Sequence, residues 1–263
     1  MTTTNLHSSR DSEFRQILGI NFFVGNAQRA IDLVRDGGLL VVPAAPALKN
    51  LPDDEAYREA VLGADVVITD SSLMVMVWNL MQQDRIRRLS GLEYLVELLR
   101  QPDARDARGM FWIMAGPESA RKNTDWLSKQ GIEIMPEDIY LAPMYGSRIE
   151  DQRLLEQIRE RKPRHVIVTI GGGTQEKLGL YLKKNLEPVP AIHCIGAAIA
   201  FLSGDQVAIP MWADRFYLGW LFRCLADPKR FVPRYWSARK LVSLMLRYRE
   251  LLPAATCETE FAQ

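Results

Sequence analysis

Arg164-His165-Val166-Ile167-Val168-Thr169-Ile170-Gly171-Gly172-Gly173-Thr174-Gln175-Glu176 is the stretch whose reading decides the fold. Its first half is a short run rich in β-branched residues, the pattern of a strand buried on both faces. Three glycines break the run, and Thr174 can cap a helix that begins at Gln175 and Glu176. Strand, glycine turn and helix start are how open α/β sheets make a pocket. Glycine lets backbone approach a ligand closely, and the free amides of a helix N-terminus favour a phosphate. An ordinary tight β-to-α turn has the same spacing, so both readings stand on this stretch alone. The dinucleotide fingerprint G-x-G-x-x-G is absent, because Gln175 and Leu178 occupy the later glycine positions.

Working outward, apolar runs and capped amphipathic segments alternate. Gln16 to Phe23 is a short apolar segment, and Asn26 caps a helix stopped by Gly37-Gly38. Leu39 to Val42, Asp65 to Thr69, Met110 to Met114 and Ala191 to Ile195 read as strands, with Ile132 to Ile134 weakly so. Helices are expected over 53–62, from Asp70-Ser71-Ser72 to Met81, over 91–100, from Gly116-Pro117 toward Lys129, over 149–161, and up to Asn185. Met135 to Ser147 reads as a loop. Such alternation predicts an α/β fold: a mostly parallel, Rossmann-like sheet with helices on both faces.

After Gly196 the texture changes. Ala197 to Gly204 is small and apolar, and from Met211 the chain mixes aromatic and basic residues. This predicts three parts: a loose tail over 1–14, an α/β domain over 15–204, and a helical appendage over 205–263 that starts near Pro210, with Asp227-Pro228 as an internal turn. Arginine mixed with aromatic rings suits a surface that meets phosphates and a lipid interface; amphipathic helices packed on a sheet give the same pattern.

Composition bounds the function. The 263 residues carry a formal charge of +1, which argues against a general nucleic-acid binder. Three widely spaced cysteines point to a reducing compartment, without a disulfide framework or a zinc site, and hence to a cytoplasmic protein. No apolar run approaches the roughly 18 residues of a membrane span. In open parallel sheets, ligands bind beyond the carboxyl ends of the strands. Pro43-Ala44-Ala45, Asp70-Ser71-Ser72 and Gly171 to Gln175 follow three such ends. Asp70 is either a general base or the N-cap of its helix, and capping is the simpler reading. Arg85, Arg87 and Arg88 either hold an anion or form a solvated face. His193, inside an apolar strand, reads as structural.

Several short motifs occur in the order and spacing of a known family. They are Ala64 to Ser71, Arg88-Leu89-Ser90-Gly91-Leu92-Glu93, Tyr140-Leu141-Ala142-Pro143, Gly171 to Glu176, Ile195-Gly196, Pro210, Trp220 to Arg223, Asp227 to Arg230, and Arg234-Tyr235. From about Ile17 to Tyr235 the chain resembles the WecG/TagA/CpsF family of bacterial glycosyltransferases. The resemblance implies inverting transfer of an N-acetylhexosamine, typically N-acetylmannosamine, from a UDP-sugar in cell-surface polysaccharide synthesis. The acceptor would be a polyprenyl-diphosphate-linked saccharide met at the inner face of the cytoplasmic membrane. No cofactor or metal is implied, and homo-oligomerisation stays open. Carried over by position, Asp70 would be the base that deprotonates the acceptor hydroxyl. The substrate-binding set would be Ser71, Arg88, Gly171, Gly172, Gly173, Gln175, Gly196, Arg223, Arg230 and Arg234, with Gln175 on the donor and the late arginines on the diphosphate.

The chain also departs from the family pattern. Pro43 and Ala45 stand where Thr and Asn are usual, Ala200 replaces an acidic residue, Ala208 an arginine, and Gly219 a glutamate. Lost polar contacts to a sugar change which sugar fits. Two other classes therefore stay open: a UDP-sugar-binding relative without catalysis, and a nucleotide-dependent oxidoreductase, against which the missing fingerprint counts.

Overall fold

A computed structural model describes residues 13–106, 109–146, 148–206 and 219–256. In chain order its elements are β1 (Phe14–Ile17), β2 (Ile20–Phe23), α1 (Ala27–Val34), β3 (Gly38–Val41), α2 (Ala45–Leu48), α3 (Glu55–Leu62), β4 (Val66–Ile68), α4 (Ser72–Met81), α5 (Gly91–Leu98), α6 (Pro102–Arg105), β5 (Met110–Met114) and α7 (Pro117–Lys129). They continue with β6 (Ile139–Leu141), α8 (Gln152–Arg161), β7 (His165–Val168), α9 (Thr174–Asn185), β8 (Ala191–Cys194), α10 (Ala198–Ser203), α11 (Gly219–Ala226), α12 (Pro228–Ser237) and α13 (Lys240–Tyr248).

Among the described residues the strands form one 8-stranded sheet in the order β1-β2-β4-β3-β8-β7-β5-β6. Only β1 runs antiparallel, paired with β2 through a tight turn at Leu18 and Gly19, both at positive φ. The sheet is buried on both faces because its strands are apolar at consecutive positions, not alternate ones. Leu39, Val41, Phe111, Ile113, Val166 and Val168 face one core. Leu40, Met110, Trp112, Met114 and Ile167 face the other. The expected α/β sheet with helices on both faces is therefore what the sequence forms.

Local chemistry sets the helix starts. Asn26 Oδ1 accepts from Arg29 N at 2.9 Å, and Asp54 Oδ1 from Tyr57 N at 3.0 Å. Two expectations fail at the sheet edge. Ile132 to Ile134 is not a strand: Ile132 N donates to Leu127 O at 3.0 Å, so the segment finishes the turn that ends α7. The strand lies instead at β6, inside the stretch read as a loop. Only three residues long and bracketed by Pro136 and Pro143, β6 has too little pattern to read. Helix α2 is likewise new: the sequence pattern after Pro43 predicts no element, yet its Pro46 is tolerated in a first helical turn.

The C-terminal residues fold back onto this frame. Helix α12 begins at Pro228, so Asp227-Pro228 does separate two helices; the start expected near Pro210 lies outside the described residues. Leu241 and Met245 of α13 are 0% and 1% exposed, in the same core as Met74, Val75 and Trp78 of α4. Beyond α13 the chain crosses to the β1–β2 turn. Leu18 N and Gly19 N donate to Arg249 O and Glu250 O at 2.8 and 2.7 Å, and a Cβ on Gly19 would sit 2.5 Å from Leu252 Cβ. Further along, Thr256 N donates to Pro52 O at 2.9 Å.

Candidate active site

The parallel strands all end on one side, and the loops after β4, β3, β8 and β7 (neighbours in that order) ring a cavity of about 490 Å³. Asp70, Arg88, Gly171, Gly172, Gln175, Gly196, Arg223 and Arg234 line it. Residues separated by more than a hundred positions thus converge because each follows a strand end, sits on a C-terminal helix or, for Arg88, lies in the loop before α5. Ser71 faces a neighbouring cavity of about 330 Å³, shared with Asp70, Arg88, Trp220 and Tyr235. Gly173 faces a third, of about 340 Å³, with Lys49, Asn50 and Arg234. The side chain of Arg230 lies outside the described residues.

Asp70 is not the cap of α4. Ser71 takes that role, its Oγ accepting from Met74 N at 3.2 Å. The Asp70 carboxylate turns instead to the loop before α5, where its Oδ1 accepts from Gly91 N at 3.0 Å and from an Arg88 terminal nitrogen at 3.2 Å. Arg88 Nε also donates to Asp70 O at 2.6 Å. Thr69 fixes the same loop: its Oγ1 donates to Arg87 O and accepts from Leu89 N, at 2.9 and 3.0 Å. Arg88 is thus held inward, while Arg87 reaches out to Glu93. Of the three arginines in that run, only Arg88 lines the cavity.

The glycine turn is built differently from its reading. The cap of α9 is Gly173, at φ +94, and Thr174 is the first helical residue. Only glycine adopts that backbone without strain. Glu176 reaches back, its Oε2 accepting from Gly173 N at 2.6 Å, as a glutamate at the third helical position does in a capping box. Its Oε1 accepts from Gln175 Nε2 at 3.2 Å. Gln175 is 2% exposed and Glu176 0%. Burial raises the pKa of Glu176 against the pull of these hydrogen bonds. Gly196, at φ +59, covers the Gln175 amide: a Cβ there would come within 3.5 Å of both terminal atoms.

The C-terminal helices close the cavity with positive charge. The Arg223 guanidinium lies over the Phe201 ring at 4.5 Å and donates to Tyr235 Oη at 3.0 Å. Its Nε is buried without a partner among the described residues. Thr69 and Phe201 are given no role by the sequence, and Tyr235 enters only within the Arg234-Tyr235 motif. Thr69 had a readable signal, its place between a buried strand and Asp70; Phe201 had none.

His193 is structural, as its apolar strand implied. It is buried, with Nδ1 2.7 Å from Tyr94 Oη and Nε2 3.0 Å from His165 Nδ1. Among the described residues no group of His, Cys, Asp and Glu is arranged to hold a metal.

Comparison with known proteins gives this geometry a context. The model of the "Glycosyl transferase WecG/TagA/CpsF family" matches residues 15–254. A protein of Bacillus spizizenii (strain ATCC 23059 / NRRL B-14472 / W23) is 27% identical over 220 residues, covering 82% of each chain. One of Bacillus subtilis (strain 168) is 23% identical over 188 residues, 69% of this chain and 71% of that one. Both are named N-acetylglucosaminyldiphosphoundecaprenol N-acetyl-beta-D-mannosaminyltransferase.

Proposed function

The chain belongs to the WecG/TagA/CpsF family of glycosyl transferases, and from that membership we propose that it moves an N-acetylmannosamine-like sugar from UDP to a polyprenyl-diphosphate-linked saccharide, with inversion. The observation that carries this reading is the convergence of Asp70, Arg88, Gln175, Arg223 and Arg234 on one cavity. An acidic group, an amide and cations in one enclosure are what a sugar-nucleotide transfer needs.

In this mechanism Asp70 takes the proton from the acceptor hydroxyl. Its two bonds to protein donors both fall on Oδ1, which leaves Oδ2 for that proton. The hydroxyl oxygen attacks the anomeric carbon as the bond from that carbon to the phosphate oxygen breaks. UDP leaves on the opposite side, so the configuration inverts. Arg223 and Arg234 meet the negative charge that develops on the leaving diphosphate.

On this reading the enzyme works at the inner face of the cytoplasmic membrane, where a lipid-linked acceptor and a UDP-sugar would meet. No helix of the described residues is long and apolar enough to cross a membrane. The C-terminal helices expose Trp220, Leu225, Val232 and Trp236 beside Lys229, Arg239 and Lys240, and α4 adds Met76 and Leu80. Such a surface suits interfacial adsorption on anionic lipid.

The departures from the family pattern bear on the sugar. Ala200 lines the 490 Å³ cavity, and Ala45 and Gly219 line the neighbouring one; Pro43 is buried at the end of β3, and Ala208 lies outside the described residues. A less polar wall favours a donor with fewer hydroxyl contacts there. The deciding experiment is transfer from a panel of UDP-sugars to a polyprenyl-diphosphate-linked N-acetylglucosamine. Transfer with none of them, while UDP still raises the melting temperature, would favour a binding protein that has lost catalysis.

A further inference from the structure

Gln175 is buried beside the cavity with a bond to only one end of its amide. Its Nε2 donates to Glu176 at 3.2 Å, whereas its Oε1 has no partner among the described residues. Buried polar atoms are nearly always paired, so a lone acceptor that lines a ligand cavity is a request for a donor. Which end of the amide faces the ligand is not a matter of Gln175 alone. An ionised carboxylate only accepts, so Glu176 can hold Gln175 in one orientation only, nitrogen inward. Glu176 is itself fixed, because its other oxygen accepts from Gly173 N at 2.6 Å. Among the described residues no basic side chain pairs with it. A carboxylate buried without a counter-ion is costly, and the donors of Gly173 and Gln175 offset that cost.

We infer that Glu176 is a positioning residue that sets the polarity of Gln175, so that the cavity offers an acceptor and the bound ligand must supply a hydroxyl or amide N–H. The inference rests on the reading of this cavity as the sugar-nucleotide site. An N-acetylhexosamine carries both kinds of donor and a uracil ring carries an N–H, whereas a phosphate oxygen is excluded.

Exchanging the two side chains tests this. In Glu176→Gln the new amide keeps its oxygen on Gly173 N and turns its nitrogen toward Gln175. Gln175 must then flip and present a donor to the ligand. Affinity for UDP-N-acetylmannosamine, measured by calorimetry, is expected to fall by roughly ten- to a hundredfold, the cost of donor facing donor in a buried site. In the double variant Gln175→Glu/Glu176→Gln, a carboxylate at the first position accepts from the amide at the second and again offers an acceptor to the cavity. Most of the lost affinity should return. A role in merely stabilising the turn would make affinity track the melting temperature and would give no such recovery.

Equal affinity of Glu176→Gln and wild type, or a folded double variant no better than the single one, overturns the inference while leaving the donor site intact. Should Glu176→Gln fail to fold, Gln175→Met leaves the bond from Gly173 N to Glu176 in place and removes the acceptor together with the amide's bond to Glu176. Unchanged affinity of that variant overturns the inference equally. A wild type that binds neither UDP nor UDP-N-acetylmannosamine would overturn the donor-site reading itself, and the inference with it.

Discussion

Replacing Asp70 by Asn separates chemistry from structure at this site. The helix cap is untouched, since Ser71 and not Asp70 caps α4. Asn keeps an oxygen where Oδ1 accepts from Gly91 N and Arg88, so the loop before α5 stays docked. What disappears is the negative charge. Asp70 and Arg88 are 23% and 13% exposed, and a hydrogen bond between charged partners becomes one to a neutral amide. That change is worth about 1 kcal/mol of stability. For a chain of this size it lowers the melting temperature by roughly 2–4 °C. Loss of the base is a larger effect: turnover should fall by roughly 10²–10⁴-fold, or about 3–5 kcal/mol of barrier. The assay is transfer to a lipid-linked acceptor under saturating donor, beside calorimetric titration with UDP. UDP affinity should change by less than about threefold, because the diphosphate is assigned to Arg223 and Arg234. An active wild type with an equally active, folded Asp70→Asn variant refutes the mechanism.

Three other outcomes follow from the same structure. Leu241→Ala should cost about 2–5 kcal/mol in urea unfolding, because Leu241 is fully buried against α4; a loss under about 1 kcal/mol would mean that α13 is not part of the core. Stability should be level above about pH 6.5 and decline below it, since burial, reinforced by His165, holds the folded pKa of His193 well below the ordinary histidine value. The unfolded chain then takes up protons that the folded one refuses. Urea midpoints that stay flat across this range would contradict the assignment. Binding to anionic vesicles should weaken as salt rises and fall further in Trp236→Ala/Leu225→Ala, read by sedimentation, whereas salt-independent binding would exclude the basic face.

Much of the fold was legible because the central strands are short apolar runs with unmistakable ends. Val66 to Ile68, Met110 to Met114 and His165 to Val168 are closed off by Asp70, Gly116 and Gly171 to Gly173, and burial on both faces removes any competing period. Strand β6 was illegible for the opposite reason, since its three residues include an exposed Leu141 and its place depends on pairing with β5. Capping misled twice. Asp70 stands beside Ser71 and Thr174 beside Gly173, and contacts beyond the single residue chose between them: the Gly91 amide drew Asp70 away, and the local bond to Glu176 tied down Gly173. That last bond could have been seen, since a glutamate at the third helical position is a capping signal. The ring beneath Arg223 could not, because no local pattern in the sequence ties Phe201 to Arg223.

The bonds from Leu18 and Gly19 to Arg249 and Glu250 join the start of the chain to its end. On the ribosome the β1–β2 hairpin is made first, yet the carbonyls that receive its turn amides are made last. A nascent chain therefore carries an unfinished sheet edge, with unpaired turn amides and an open seat for Leu252, until residues 249–252 have been made. Contacts this distant in sequence form late and slow the search for the native state. A chain cut before Arg249 would leave these first strands without the acceptors of their turn amides.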